Sequence, residues 1–330
     1  MRTERFGIVG FGGRGKLIAR RFLDLGFQVV GIQDSDPAKL AGAQFQTFAD
    51  LDDLLKLNPD ALAVTTWPSS HAAIVEKALE RGLDVFVEKP MGENLEQALR
   101  IEKAQKRSGR LVVVGYIERL NPAIMKLREV AELSDIVRSR EIRIGLMPPA
   151  MHEVGVLLDL GSHGIDTAYH LFAKEPDVRS TSMTCAAQGS PEYECVIELN
   201  FGGTQACVEA RYANIRRRRL ELETNQEYYE VTYTPARLKI GFPPPKLRKN
   251  PRNFEDLEQL SKNVETTFDL PRKEPISIML QLLAESLKKG AVIDPLCNVD
   301  QALVTARAID KAKRIATYRF VERTSHSAVT

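Results

Sequence analysis

The chain has 330 residues, too many for one small core and a length that suits two domains. Lysine and arginine total 46 against 44 aspartates and glutamates, and the resulting net charge of +2 gives no electrostatic reason for nucleic acid to be the main partner. No apolar stretch reaches membrane-spanning length and no basic n-region with an apolar h-region opens the chain, so the expected compartment is the cytoplasm, without a membrane partner.

Up to Gly115, short β-branched runs alternate with amphipathic segments. Phe6 to Gly10, Gln28 to Asp34, Ala61 to Thr66, Asp84 to Glu88 and Leu111 to Gly115 read as strands, and the first helical pattern between them runs from Lys16 to Leu25. Such alternation predicts a parallel sheet covered on both faces. A helix from Pro122 to about Leu133, a strand from Val137 to Leu146 and a long apolar helix from about Val154 to Phe172 come next. Then the texture changes. Val178 to Ala187, Tyr193 to Phe201, Gln205 to Tyr212, Arg217 to Glu223 and Tyr228 to Tyr233, joined by short turns such as Gly202-Gly203, predict an antiparallel sheet. Gly241 to Lys273, headed by three prolines at 243–245, is rich in proline and charge, and suits a lid, an oligomer contact or an ordered loop. Helices from Pro275 to Lys289 and from Val299 to Ala316 close the fold, and the polar tail over 321–330 is expected to be loose.

The predicted class is α/β, with a doubly wound domain over residues 1–122 and an α+β domain over 123–330. Four cysteines lack C-x-x-C spacing, and Cys185, Cys195 and Cys207 fall inside strand-like runs as small core residues. No His/Cys/carboxylate cluster has ligand spacing, so no metal is expected.

The residues that carry chemistry begin at the first turn. An apolar run enters Gly10-Phe11-Gly12-Gly13-Arg14-Gly15, a G-x-G-x-x-G turn, and a helical pattern leaves it. Gly10 permits the tight turn, Gly12 the approach of a pyrophosphate and Gly15 close helix packing, while the helix N-terminus points its positive end at phosphates. Incidental glycines can give the same pattern. Asp34, about 20 residues further on at the end of the next strand, argues for the nucleotide, because a carboxylate there accepts hydrogen bonds from the adenosine ribose diol. It favours NAD over NADP, although Ser35 leaves some tolerance for a 2′-phosphate.

Lys89, in Glu88-Lys89-Pro90, stands at the carboxyl end of a parallel strand, where open α/β sheets keep their ligands. Its ammonium can bind a substrate hydroxyl and ease deprotonation. Asp159, His163, Asp166 and His170 recur on one face of an otherwise apolar helix. There Asp159 can orient His163 and stabilise its protonated form, leaving His163 to take a proton from an alcohol, whereas a satisfied structural pair is the bland alternative. His170 suits a structural role and Asp166 stays open. Thr66-Trp67-Pro68 and His71 follow a strand end beside the expected cofactor cleft, and an isolated histidine is commonly a packing residue. Arg216 to Arg219 open a strand, so alternate side chains face opposite ways and at least two can converge on an anion, or the run simply solvates an edge.

These motifs together resemble the Gfo/Idh/MocA oxidoreductases over nearly the whole length. The resemblance implies a Rossmann domain followed by a domain with a large, mostly antiparallel open sheet, with Lys89, Asp159 and His163 binding substrate and shuttling the proton. A narrower likeness, to the branch of UDP-N-acetylglucosamine (or its uronate) 3-dehydrogenases, rests on Gly115-Tyr116-Ile117-Glu118-Arg119-Leu120-Asn121-Pro122, on the arginine run before Leu220, on Glu230-Val231-Thr232-Tyr233 and on Glu274-Pro275. It implies Tyr116, Arg119, Asn121, Arg216 and Arg218 as substrate contacts, the arginines holding a diphosphate. Tyr116 stands where that branch has histidine, Leu120 where it has phenylalanine, and Ser69 where many relatives have asparagine. The expected activity is NAD-dependent oxidation of a secondary hydroxyl of a sugar or nucleotide sugar by a homodimer or homotetramer. Inositol or free-sugar oxidation on the same fold is the alternative, an NAD-dependent glycosidase a remoter one, and a non-catalytic NAD-binding sensor is the alternative from another class.

Overall fold

The computed structural model describes residues 4–147, 154–241, 265–271 and 274–321. Contacts divide the chain into two compact units, Met1–Leu120 with Lys273–Arg307, and Asn121–Arg272 with Ala308–Thr330.

The first unit is built on β1 (Arg5–Val9), β2 (Gln28–Gln33), β3 (Thr47–Phe48), β4 (Ala61–Val64), β5 (Asp84–Val87) and β6 (Val112–Val114), with the short β15 (Cys297–Asn298) at one edge. Their spatial order is β15-β6-β5-β4-β1-β2-β3, all parallel except β15. This is the 3-2-1-4-5-6 order of a doubly wound dinucleotide fold, whose direction reverses between β1 and β4. Alternation on β1 sends Phe6 and Ile8 to one face and Val9 to the other. Phe6 and Ile8 pack with Ile18, Ala19 and Phe22 of α1 (Gly13–Asp24) and with Ile276, Met279, Leu280 and Leu283 of α8 (Pro275–Lys289). Val9 packs with Val75 and Leu79 of α4 (Pro68–Glu80) and with Ala98 and Ile101 of α5 (Leu95–Ser108).

That packing explains a difference from the sequence expectation, which gave everything beyond residue 122 to the second domain. The apolar stripe of α8 is buried in the same core as β1, so residues 273–307 group with the first unit. Beyond Phe320, residues 322–330 of the expected loose tail lie outside the described residues, as does 242–264 of the proline-rich segment.

The second unit is a sheet of nine strands in the order β14-β13-β12-β11-β7-β10-β9-β8-β16. In chain order these are β7 (Arg138–Gly145), β8 (Asp177–Cys185), β9 (Glu192–Phe201), β10 (Thr204–Tyr212), β11 (Arg217–Glu223), β12 (Tyr228–Tyr233), β13 (Ala236–Gly241), β14 (Thr266–Asp269) and β16 (Thr317–Phe320). It is antiparallel except where β7 meets β10 and β8 meets β16. Period-two burial shows that one face is covered, and α6 (Pro122–Val130) and α7 (Ser162–Phe172) lie on it. Cys185, Cys195 and Cys297 are buried, and burial raises the thiol pKa of Cys185, Cys195 and Cys207, the last to about 12.

Apolar periodicity predicts one helix from Val154 to Phe172. The structure instead has a π-helical turn over Leu157–Gly161 before α7 begins, and the Ser162 hydroxyl donates to the Leu158 carbonyl at 2.7 Å. Asp159 therefore sits on a widened turn, a feature frequent at functional sites.

Phe22 is fully buried and stacks on Phe6 with ring centroids 4.0 Å apart. Phe22→Ala is expected to destabilise the chain by roughly 3–5 kcal/mol in denaturant unfolding.

Candidate functional site

In the first unit the site grows from the turn after β1. Gly10 has φ of +88°, and the Thr65 hydroxyl donates to its carbonyl at 2.6 Å. That carbonyl would stand 2.0 Å from a Cβ at Gly15, so only glycine lets α1 start this close to β1. At Gly12 an added Cβ would meet nothing within 4 Å, and no side chain caps the first turn of α1. Open space at an uncapped helix N-terminus fits a bound pyrophosphate.

Asp34, 6% exposed just past β2, reaches back to this turn. Its Oδ2 accepts the Phe11 N–H at 2.7 Å and its Oδ1 accepts the Asp36 N–H at 2.9 Å. Burial alone would raise its pKa, but the two backbone N–H groups, aided by Lys39, outweigh it and hold the carboxyl below the usual range. Asp34 is thus a permanent anion where a ribose would lie.

Beyond β5, Glu88 is buried, forms an ion pair with Arg14 of α1 at 3.2 Å, and accepts the Lys89 N–H at 3.3 Å. The loop that carries Lys89 is therefore tied to the glycine-rich turn. Lys89 itself is half-buried. Trp67, 44% exposed, and Pro68 start α4 after β4, and the Thr66 hydroxyl accepts from Ser70 at 2.8 Å.

His71 has no exposed surface, and its ring nitrogens face the Thr66 carbonyl at 3.1 Å and the Pro90 carbonyl at 3.0 Å. It staples the loop after β4 to the loop after β5, a packing role rather than a surface for a cofactor. Burial lowers its pKa, only partly offset by the carbonyls. Arg119 is also placed differently from the substrate contact expected by resemblance: it is 1% exposed, and its Nη1 donates to Gln301 of α9 (Val299–Ile315) at 2.7 Å. A partner 182 residues away is invisible to local sequence reading. Tyr116 is 3% exposed within the core on the α4 side of the sheet.

In the second unit Asn121 caps α6, accepting the Ala123 N–H at 3.1 Å, and donates to the Tyr233 carbonyl at 3.2 Å. The polar groups expected on the apolar helix meet partners that sequence reasoning missed. Asp159 is 8% exposed and accepts a hydrogen bond from Tyr212 of β10 at 3.1 Å. Burial first, and then the charge of Asp159, raise the Tyr212 pKa, so the phenol keeps its proton. His163 is half-buried on α7, where Asp166 and His170 are buried. On β7, Glu141 and Arg143 pair at 2.7 Å, the Tyr233 hydroxyl donates to Glu141 at 2.9 Å, and the Arg143 guanidinium lies 4.7 Å from the Tyr233 ring centre. Gly164 brings α7 onto these strands, since an added Cβ would come 2.7 Å from Val208 and 3.1 Å from Glu141. Local alternation points the other way, since the apolar residues of β7 are Ile142 and Ile144, whereas the fold covers the face that carries Glu141 and Arg143.

The arginine run splits as alternation requires. Arg218, exposed near the start of β11, is opposite Arg143 in the β11–β7 register and so points to the same side of the sheet as the buried Arg143, Glu141 and Tyr212. Arg217 and Arg219 take the other face, where Arg219 pairs with Glu221 at 2.9 Å and with Glu230. Arg216 is exposed ahead of the strand. Among the described residues no three His, Cys, Asp or Glu side chains cluster as metal ligands.

Two expectations follow from the first unit. Gly12→Ala is expected to fold normally but to lose dinucleotide binding in titration calorimetry, whereas Gly15→Ala is expected to lower the melting temperature as well. For His71, the unfolded chain takes up a proton below about pH 6.5 that the buried ring refuses, so stability falls as pH drops from there to the folded pKa. His71→Asn should flatten that part of the plot of melting temperature against pH.

Comparison with known proteins agrees with this geometry. Residues 4–116 match the family model described as oxidoreductase family, NAD-binding Rossmann fold, GFO_IDH_MocA. The chain is 26% identical over 242 residues to a UDP-N-acetylglucosamine 3-dehydrogenase from Acidithiobacillus ferrooxidans, covering 72% of this chain and 76% of that protein. It is 31% identical over 194 residues to an inositol 2-dehydrogenase/D-chiro-inositol 3-dehydrogenase from Halalkalibacterium halodurans, covering 54% of this chain and 56% of that one. A crystal structure of the Acidithiobacillus ferrooxidans enzyme aligns with a TM-score of 0.81 at 21% identity over 96% of this chain and 98% of that chain. A 3-ketoreductase from Actinomadura kijaniata, crystallised with NADP and TDP-benzene, aligns with a TM-score of 0.82 at 14% identity, over 97% of this chain and 100% of that chain. Among the described residues no helix is long and apolar enough to cross a membrane. With the 3-2-1-4-5-6 sheet, the glycine turn and Asp34 in place, residues 4–116 form an NAD-binding Rossmann fold of the kind that the Gfo/Idh/MocA oxidoreductase family model describes.

Proposed function

We propose that the chain oxidises a secondary ring hydroxyl of a nucleotide sugar, at the 3-position of a UDP-N-acetylhexosamine. The observation that carries this reading is the composition of the covered face of the second unit, where Arg218 shares a face with Arg143, Glu141, Tyr212 and, through Tyr212, Asp159. A cation at the end of a row of carboxylates and phenols suits a substrate with an anionic diphosphate at one end and hydroxyls at the other. The named relative that acts on UDP-N-acetylglucosamine supports the same substrate.

Gly10, Gly12, Gly13, Arg14, Gly15 and Asp34 would hold the dinucleotide, with Thr66, Trp67, Pro68 and Glu88 at the strand ends beside them. When bound it supplies a hydride acceptor for the carbon being oxidised. The chain's own task is the proton. Lys89 donates a hydrogen bond to the reacting hydroxyl and favours its alkoxide form, His163 takes the hydroxyl proton, and Asp159 stabilises the imidazolium. Tyr212, protonated and bonded to Asp159, holds that carboxylate in place. One O–H and one C–H bond break, and a ketone and a reduced cofactor result.

In the test, NADH formation is followed across UDP-N-acetylglucosamine, its uronate, free hexoses and inositols. Lys89→Met and His163→Ala are each expected to lower kcat by about 10²–10⁴-fold while dinucleotide binding persists, and unchanged activity in both would exclude this mechanism. Arg218→Ala is expected to raise KM for the UDP-sugar by about tenfold. Turnover of inositol that is indifferent to Arg218 would favour the second reading, which the inositol dehydrogenase relatives support. Dinucleotide binding without turnover of any of these would indicate a sensor.

A further inference from the structure

We infer that Lys39 lets this chain accept a dinucleotide whose adenosine ribose carries a 2′-phosphate, alongside one whose ribose is unmodified. The inference rests on the dinucleotide reading of the first unit and extends it to the choice between the two cofactors.

Asp34 by itself selects against a 2′-phosphate, because it is a buried anion at the place where the ribose lies. This chain sets a cation against it. Lys39 Nζ lies 3.4 Å from Asp34 Oδ1, with its side chain 41% exposed. The placement is built into the backbone. Asp34 accepts the N–H of Asp36 and Asp36 accepts the N–H of Ala38 at 3.0 Å, so two successive aspartates turn the chain back on itself. Pro37 then starts the one-turn helix α2 (Pro37–Leu40), which carries Lys39 back to the carboxylate it follows by five residues.

Acceptor arithmetic indicates what the pair can do. A carboxylate offers about four lone-pair sites. Here Oδ2 holds the Phe11 N–H, and Oδ1 holds the Asp36 N–H and Lys39. The Lys39 contact is the longest of the three and the only one made by a half-exposed, flexible side chain, so it is the one that yields. If Lys39 swings away, Oδ1 and Oδ2 each have a site for one hydroxyl of an unmodified ribose diol. If it stays, the local charge of the pair is zero instead of negative, and the ammonium is a donor for a phosphate on the 2′-oxygen. Ser35, exposed between the two aspartates, adds a hydroxyl on the same rim.

The experiment is calorimetric binding of NAD, NADP and the fragments adenosine 5′-diphosphate and adenosine 2′,5′-bisphosphate to the full chain and to Lys39→Met, with melting curves to verify folding. Wild type is expected to bind NADP within about tenfold of NAD, and Lys39→Met to weaken NADP and the 2′-phosphorylated fragment by about tenfold while NAD stays within about twofold. The NADP affinity of wild type should also fall more steeply with salt than the NAD affinity. A wild type that discriminates against NADP by about a thousandfold or more, or a Lys39→Met chain in which both dinucleotides shift equally or neither shifts, overturns the inference while leaving NAD binding intact. Absence of binding by either dinucleotide to folded wild type overturns the dinucleotide reading itself, and this inference with it.

Discussion

The approach of α1 to β1 constrains everything else in the first unit. A methyl group at Gly15 would collide with the Gly10 carbonyl, so its absence lets the helix begin within hydrogen-bonding reach of the strand end. From that closeness follow the open surface at Gly12, the reach of Asp34 to the Phe11 N–H, and the Arg14–Glu88 pair that ties the turn to the Lys89 loop. The last two are short contacts between residues far apart in sequence, 23 positions for Phe11 and Asp34.

The second unit solves a different problem. Its covered face contains charges that a hydrophobic core would reject, and the best defined of them are matched: Glu141 by Arg143 and Tyr233, Asp159 by Tyr212. Pairing makes burial tolerable, because an ion desolvated alone is far more expensive than one that keeps a hydrogen-bonding partner. Such a network on one face of a sheet whose other face is solvated concentrates the polarity where a substrate with many hydroxyls can use it.

Much of this was legible in the residues. Alternation of five apolar runs with amphipathic segments anticipates the parallel sheet, and the bounds of Arg217–Glu223, Tyr228–Tyr233 and Pro275–Lys289 agree with the elements found. What escaped has physical reasons. Two-residue strands such as Thr47–Phe48 and Cys297–Asn298 are too short to show a period. The π turn at Asp159 is a matter of hydrogen-bond register, which composition does not encode. Partners such as Gln301 for Arg119 and Tyr212 for Asp159 come from distant strands and helices, so no local window contains both members. The motif residues fared better because glycine turns and strand-end acids derive their role from neighbours close by in the chain.

The discontinuity of the first unit bears on how the molecule is made. Its first strands and helix cannot finish their core as they are made, since Ile276, Met279, Leu280 and Leu283 are missing until the second sheet has been synthesised up to Asp269. Until then Phe6, Ile18 and Phe22 present an uncovered greasy surface, and the intervening sheet has every opportunity to form first. A nascent chain of this architecture therefore waits for a segment made long after the glycine turn, whereas a dinucleotide domain made from one continuous segment would not.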